Sequence, residues 1–213
     1  MPVRPLEERV ALVTGANHGI GASTALALAG LGANVVVTYL RLGVPDDDPG
    51  RPAAYAQHRR QDATVVGDAI RAAGSNALAI EADLADPASP ARLFDQAEDA
   101  FGPVAILVNN ASGWRQDTFT GASVDTLGRP NRAVTAESID AQLLVDARAS
   151  ALLIAELACR HRQRGADSPP EDRVGSPARS PTVPPKPPWR TTRCRRRLNS
   201  PRWGSQPTSF TRP

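Results

Sequence analysis

Short apolar runs alternate with longer amphipathic stretches from the start of the chain. Val10-Ala11-Leu12-Val13 is a four-residue apolar run that stops at Thr14-Gly15, the pattern of a strand buried on both faces. From Ile20 to Leu31 the apolar positions Ala25, Leu26, Leu28 and Ala29 fall at helical spacing and stop against Gly30 and Gly32, a C-terminal signal. Asn34–Thr38, Ala77–Glu81 and Val104–Val108 predict three more strands. A loop from about Leu42 to Ala54 follows the second strand, long for such a connection, and leads to a helix over Tyr55–Ala73 closed by Gly74. Asp86-Pro87 pairs a capping residue with a proline at the first helical position; the helix it opens carries Leu93, Phe94, Ala97 and Phe101 and ends at Gly102. Residues 113–134 are polar and irregular. Thr135 then caps a long helix over residues 136–163, whose apolar positions (Ile139, Leu143, Leu144, Ala147, Ala151, Leu152, Ile154, Ala155, Ala158) are too many for one stripe and predict cover on more than one side.

Four rounds of strand and helix predict an α/β protein: a doubly wound parallel sheet, helices on both faces, right-handed crossovers. Composition restricts this reading to residues 1–164. Residues 165–213 hold eleven of the 20 prolines, and nine arginines and one lysine against three acids (Asp167, Glu171, Asp172). The net charge of +3 and the pI of about 9.4 therefore belong to the tail, and the first 164 residues are acidic on balance. The tail has too few apolar residues to offset its ordering entropy and is expected to be disordered. Cys159 and Cys194 match no metal or redox spacing, and no apolar leader or membrane-length run is present; the expectation is a reduced, cytoplasmic protein with no membrane partner.

The chemistry concentrates in Thr14-Gly15-Ala16-Asn17-His18-Gly19-Ile20-Gly21, between the first strand and the first helix. Glycines there let the chain turn tightly out of the strand, bring backbone close to a pyrophosphate and pack the helix near the sheet. The helix N-terminus then presents free N–H groups to the anion. Two further segments fall at strand ends: Asp83-Leu84 after the third strand and Asn109-Asn110-Ala111-Ser112 after the fourth.

Together these motifs resemble the short-chain dehydrogenase/reductase family over about residues 7–163. The resemblance implies a Rossmann-like sheet of order 3-2-1-4, a nicotinamide dinucleotide cofactor and a small carbonyl or alcohol substrate. It implies cofactor contacts from Gly15, Asn17, His18, Gly19, Ile20 and Gly21, from Asp83 and Leu84 at the adenine, and from Asn110, Ala111 and Ser112 on the nicotinamide side. Ser112 stands where the family has Gly, and Asp146 where it has an Asn supporting a proton-relay water; a surface carboxylate paired with Arg148 or Arg160 is the alternative for Asp146. The family's long helix also pairs in a dimer, so a homodimer through the 136–163 helix is expected.

Charge decides between cofactors. An acid at the end of the second strand would bind the ribose 2′-OH of NAD. Here Thr38-Tyr39-Leu40-Arg41 places no carboxylate at that point. Arg41 can pair with a 2′-phosphate, with Tyr39 beside it and His18 assisting when protonated. NADP is therefore favoured over NAD, and a solvated Arg41 is the alternative.

The family pattern stops near residue 163. Its catalysis needs a Tyr, a Lys four residues later and a Ser on the preceding strand. The tyrosines here are Tyr39 and Tyr55, the lysine is Lys186, and Ser176 after Arg173-Val174-Gly175 only faintly resembles the Ser strand. Back-translating residues 181–194 and reading an adjacent frame permits Tyr-Gly-Ala-Ala-Lys-Ala-Ala-Leu-Glu-Asn-Tyr-Thr-Met, a family-like Tyr-x-x-x-Lys helix. A truncated or frame-shifted family member is the expectation, with the frame change between about Arg164 and Pro181, strand four left as a bare edge and oxidoreductase activity impaired. Two other readings stand beside it. One is a non-catalytic dinucleotide-binding module. The other is a tail that binds proteins through Pro184–Pro188, or nucleic acid through Arg193 and Arg195–Arg197. No folded nucleic-acid motif accompanies that cluster, so nucleic acid is not the expected partner.

Overall fold

The computed structural model describes residues 4–43, 60–115, 117–126 and 128–167. The expectations placed on Ser176, Cys194, the Pro184–Pro188 run, the arginine cluster and the frame change lie outside the described residues. The sheet has four parallel strands: β1 (Val10–Val13), β2 (Asn34–Tyr39), β3 (Ala77–Glu81) and β4 (Val104–Val108). Their order is β3-β2-β1-β4, as the resemblance implied. Val10–Val13 pair with Asn34–Val37 on one side; on the other, Val10 pairs with Val104 and Ala11 with Ile106, a one-residue irregularity at the start of β4.

Both faces of the sheet are covered, which is why β1 is apolar at every position and buried at every position. Helices α1 (Gly19–Gly30) and α2 (Thr64–Ala72) cover one face. There Ala11, Val13, Val35 and Val37 meet Ala25, Ala29, Val66 and Ile70. Helix α3 (Ser89–Phe101) and the long C-terminal helix cover the other, where Val10, Leu12 and Val36 meet Leu93, Phe94, Ala149 and Leu153. Full burial of a side chain such as Phe94, Leu93 or Ile70 stabilises by about 1.5–3 kcal/mol relative to exposure.

Two helix boundaries differ from the sequence reading. The helix expected over Tyr55–Ala73 is interrupted: residues 61–63 are not helical and α2 starts at Thr64. Asp62 takes the Thr64 amide on Oδ1 at 2.9 Å, and Gln61 O accepts from Asn17 Nδ2 at 2.9 Å. A local side-chain bond and a long-range tether thus compete with the helical ladder. Helix α3 starts at Ser89, not Pro87, because Asp86 Oδ1 accepts from the Ala88 amide and Pro90 occupies the first turn.

The long helix is not uniform. It comprises α4 (Ala136–Gln142), a π-helical segment (Leu143–Ala149) and α5 (Ser150–Asp167). Thr135 does cap it, in a reciprocal capping box with Ser138. Arg160 seats α5 on α3, bonding Asp95 (2.7 Å), Glu98 (2.8 Å) and Glu156 (3.1 Å) and lying over the Phe94 ring. Burial alone would lower the pKa of this guanidinium; the three carboxylates outweigh it and raise it. No helix among the described residues is long and apolar enough to cross a membrane.

Candidate functional site

The glycine turn is fixed by contacts that exclude a side chain. Gly15 has φ +62°, and a Cβ on it would lie 2.8 Å from Ala111 Cα. A Cβ on Gly21 would lie 2.5 Å from Asn110 Nδ2 and would collide with the Gly15 carbonyl. The last glycine therefore lets α1 pack on the turn and on the segment after β4, not simply near the sheet. Helix α1 begins at Gly19 after an extended His18, with no side-chain cap and no acid in its first turn. Its first amides have no helical acceptor, and the dipole favours an anion there.

Thr14, whose hydroxyl the sequence reading did not single out, staples the ends of β1 and β4. It is buried. Its Oγ1 accepts from the amides of Asn110 (2.9 Å) and Ala111 (3.1 Å) and donates to Val108 O (3.3 Å). Asn110 Nδ2 completes the clamp by donating to the carbonyls of Thr14 (3.0 Å) and Gly15 (2.9 Å). The turn and the Asn-Asn-Ala-Ser segment are thus one rigid unit.

A cleft of about 630 Å³ opens over this unit. Of the expected site residues, Gly15, Asn17, His18, Ile20, Tyr39, Asp83, Leu84, Asn110, Ala111 and Ser112 line it. Ile20 is 79% exposed at its mouth. Asp83 Oδ1 accepts from the Ala85 amide at 2.8 Å, which orients its carboxylate at the cleft rim, while Leu84 is buried in the core beneath. Gly19 and Gly21 shape the turn without lining the cleft. The sequence reading missed Trp114 and Arg115, which follow Ser112 directly, and Leu144 and Val145 from the π-helical segment; all four line the cleft.

Two expectations on charge change. Arg41 is exposed but paired, and it does not line the cleft: its guanidinium holds Glu81, with Nη2–Oε2 at 2.6 Å and Nε–Oε2 at 3.0 Å. The hydrogen bond raises the Arg41 pKa and lowers that of Glu81. Glu81 lies opposite Tyr39 in the β2–β3 register, a proximity that neither sequence segment reveals alone. Asp146 pairs with neither arginine weighed for it, because Arg148 donates to Ala85 O and Arg160 is committed to α3. Instead Asp146 Oδ1 accepts from the Gly113 amide at 2.8 Å and Oδ2 from Ser112 Oγ at 3.3 Å. The two positions that depart from the family pattern therefore bond to each other. Ser112 Oγ in turn accepts from the Trp114 amide at 3.1 Å.

The donor set fits a dinucleotide: backbone that only glycine allows to come close, free helix amides for an anion, and a long cleft across the β-strand ends. Comparison with known proteins agrees. A family model described as short chain dehydrogenase matches residues 50–129. A short chain dehydrogenase of Passalora fulva is 42% identical over 106 residues, covering 50% of this chain and 33% of its own. Versicolorin reductase 1 of Aspergillus parasiticus is 34% identical over 160 residues, 75% of this chain and 50% of its own. A short chain dehydrogenase from Burkholderia cenocepacia, solved in complex with NADP, superposes with a TM-score of 0.52 at 35% identity over 73% of this chain and 51% of that one. The chain spans between a third and a half of the length of these relatives. Sheet order, glycine turn and matching sequences converge on the short-chain dehydrogenase/reductase family, to whose members the chain is similar over about three quarters of its length.

Proposed function

We propose that this chain binds NADP(H) along the cleft and is the cofactor-holding part of an oxidoreductase acting on a carbonyl or alcohol. The single observation that carries the reading is the Gly15–Ala111 and Gly21–Asn110 approach beside the uncapped start of α1. It forms a backbone cradle that any side chain would fill. The amides at the start of α1 would hold the pyrophosphate, with Asn17 and His18 flanking it. Tyr39 and Asp83 would frame the adenosine, and Asn110–Ser112 the nicotinamide. Arg41 would turn from Glu81 to a 2′-phosphate. The NADP bound in the Burkholderia cenocepacia relative supports this choice.

The bound nicotinamide supplies a hydride. The chain's own part is to orient the ring and exclude water; the Tyr-x-x-x-Lys pair that the family uses to protonate the carbonyl oxygen does not occur in the sequence. Tyr39, at the end of β2, would face the adenosine and not the reacting carbonyl. Loss of a general acid costs about 10²–10⁴ in rate, so the reading is a competent binder and a poor catalyst. A non-catalytic binding module is the second reading, favoured by the same missing pair. We also propose that the tail arises from a frame change, consistent with matches to relatives that reach 160 residues, and that the exposed side of α5 pairs with a second copy.

The test is calorimetry of the full chain with NADPH and NADH, followed by NADPH consumption with a panel of aldehydes and ketones. Saturable NADPH binding, its loss in Gly21→Ala and negligible turnover are expected. No binding of either nucleotide ends the cofactor reading, and turnover matching an intact relative ends the claim of impairment.

A further inference from the structure

Arg115 is the sole Arg or Lys among the described residues that line the cleft. It directly follows Ser112, Gly113 and Trp114, and Ala141, Leu144 and Val145 line the same cleft; on the dinucleotide reading this is the nicotinamide side. Among the described residues it forms no ion pair, and its guanidinium donates no hydrogen bond. The acids around it are committed elsewhere or do not reach it: Asp146 is engaged by Gly113 and Ser112, and Asp117, two residues along, makes no salt bridge to it. An unpaired guanidinium is not itself unusual on a surface. Here it is presented by a segment that is actively held. The Asp146 carboxylate from the π-helical segment takes the Gly113 amide and the Ser112 hydroxyl, and Ser112 takes the Trp114 amide. A π-helical turn in a helix is a common device for aiming a side chain at a site. This one fixes the three residues that immediately precede Arg115.

The chemistry of this end is therefore an apolar wall (Ala141, Leu144, Val145), the half-exposed Trp114 and one cation. Guanidinium binds carboxylate and phosphate through paired, charge-assisted hydrogen bonds, and an indole beside it suits a flat or apolar body. We propose that Arg115 makes this end of the cleft selective for carbonyl or alcohol compounds that carry a carboxylate or phosphate group, with Trp114 against their apolar portion. This deepens the dinucleotide reading, since the anion would lie beyond the nicotinamide. The cofactor's own phosphates are the other source of the same chemistry, and the experiment separates the two.

The full chain is titrated with 4-carboxybenzaldehyde and with benzaldehyde, each with and without saturating NADP, and binding is read by calorimetry. The anionic aldehyde is expected to bind about tenfold tighter than the neutral one, the size of a charge-assisted pair at a partly solvated site. Arg115→Gln brings the two to parity, Arg115→Lys keeps part of the preference, and NADP affinity is unchanged in both. Equal binding of the two aldehydes by the wild-type chain, or a preference that survives Arg115→Gln, overturns the proposal. So does a loss of NADP affinity in Arg115→Gln with no change in aldehyde preference, which would give Arg115 to the cofactor's phosphates. Failure of the wild-type chain to bind NADP overturns the dinucleotide reading alone, because the aldehyde pair measured without nucleotide still reads Arg115.

Discussion

Arg41 and Glu81 are 40 residues apart in sequence and joined by several hydrogen bonds, so on the proposed reading cofactor choice becomes a contest for one guanidinium. Because Arg41 holds the Glu81 carboxyl below its ordinary range, the pair stays ionised as pH falls past the usual carboxylate values. Whatever stability it lends is present above that range and is lost only when pH drops through the lowered value. At neutral pH a 2′-phosphate must therefore displace a fully charged carboxylate. Arg41→Gln removes the cation and also leaves Glu81 unneutralised near the phosphate. NADP binding should weaken by about tenfold while NAD binding barely moves. Glu81→Gln should do the opposite and strengthen NADP relative to NAD. Competitive calorimetry with the two nucleotides at fixed ionic strength checks both, and an unchanged NADP/NAD ratio in both variants would remove Arg41 from the cofactor site. Arg41 was legible as a cation just after the second strand; its partner was not, because only strand register brings Glu81 opposite Tyr39.

Between elements, the Thr14 hydroxyl is the joint that turns two strand ends into one cradle. Thr14→Val keeps the shape but leaves the amides of Asn110 and Ala111 without their acceptor in a buried place. Each unsatisfied group costs about 1–3 kcal/mol, so urea unfolding should show a loss of about 2–4 kcal/mol, and Thr14→Ser should restore most of it. An unchanged midpoint for Thr14→Val would show that these bonds do not hold the turn. The strands themselves were readable from sequence because a two-faced buried strand must be apolar throughout, and Val10–Val13 and Val35–Val37 are. Helix boundaries were less readable, for reasons that are tertiary. The break before Thr64 pits the Asp62 side chain and the tether from Asn17 against an unbroken apolar rhythm. The π-helical segment looks like ordinary helix in composition, and what accompanies its different winding is the bond from Gly113 to Asp146, 33 residues away. Trp114 and Arg115 escaped notice because the segment after Ser112 reads as loop until Asp146 is seen to hold it.

At the scale of the molecule, the long helix divides its surface between two tasks. Ala149, Leu153 and Leu157 face the sheet and α3. On the opposite side Leu143, Ala147, Ala151, Ile154, Ala155 and Ala158 are all exposed, and Leu143 and Ile154 are more than half exposed at 54% and 55%. In α5 these positions recur at steps of three and four residues and form one stripe. Its alanines would let a second helix approach closely, and its self-complementary character suits a twofold pairing that closes on itself. An open sheet edge at β4, which pairs only with β1 among the described strands, offers backbone groups but no such closed arrangement. Light scattering of the purified chain at micromolar concentration should therefore give the mass of a dimer. Ile154→Glu places a charge in the middle of the stripe, far from the cleft lining, and should give a monomer that still binds NADPH. A chain that is monomeric at every concentration, or a dimer indifferent to Ile154→Glu, would mean that this stripe is not the pairing surface, and the β4 edge would become the surface to probe with strand-blocking substitutions.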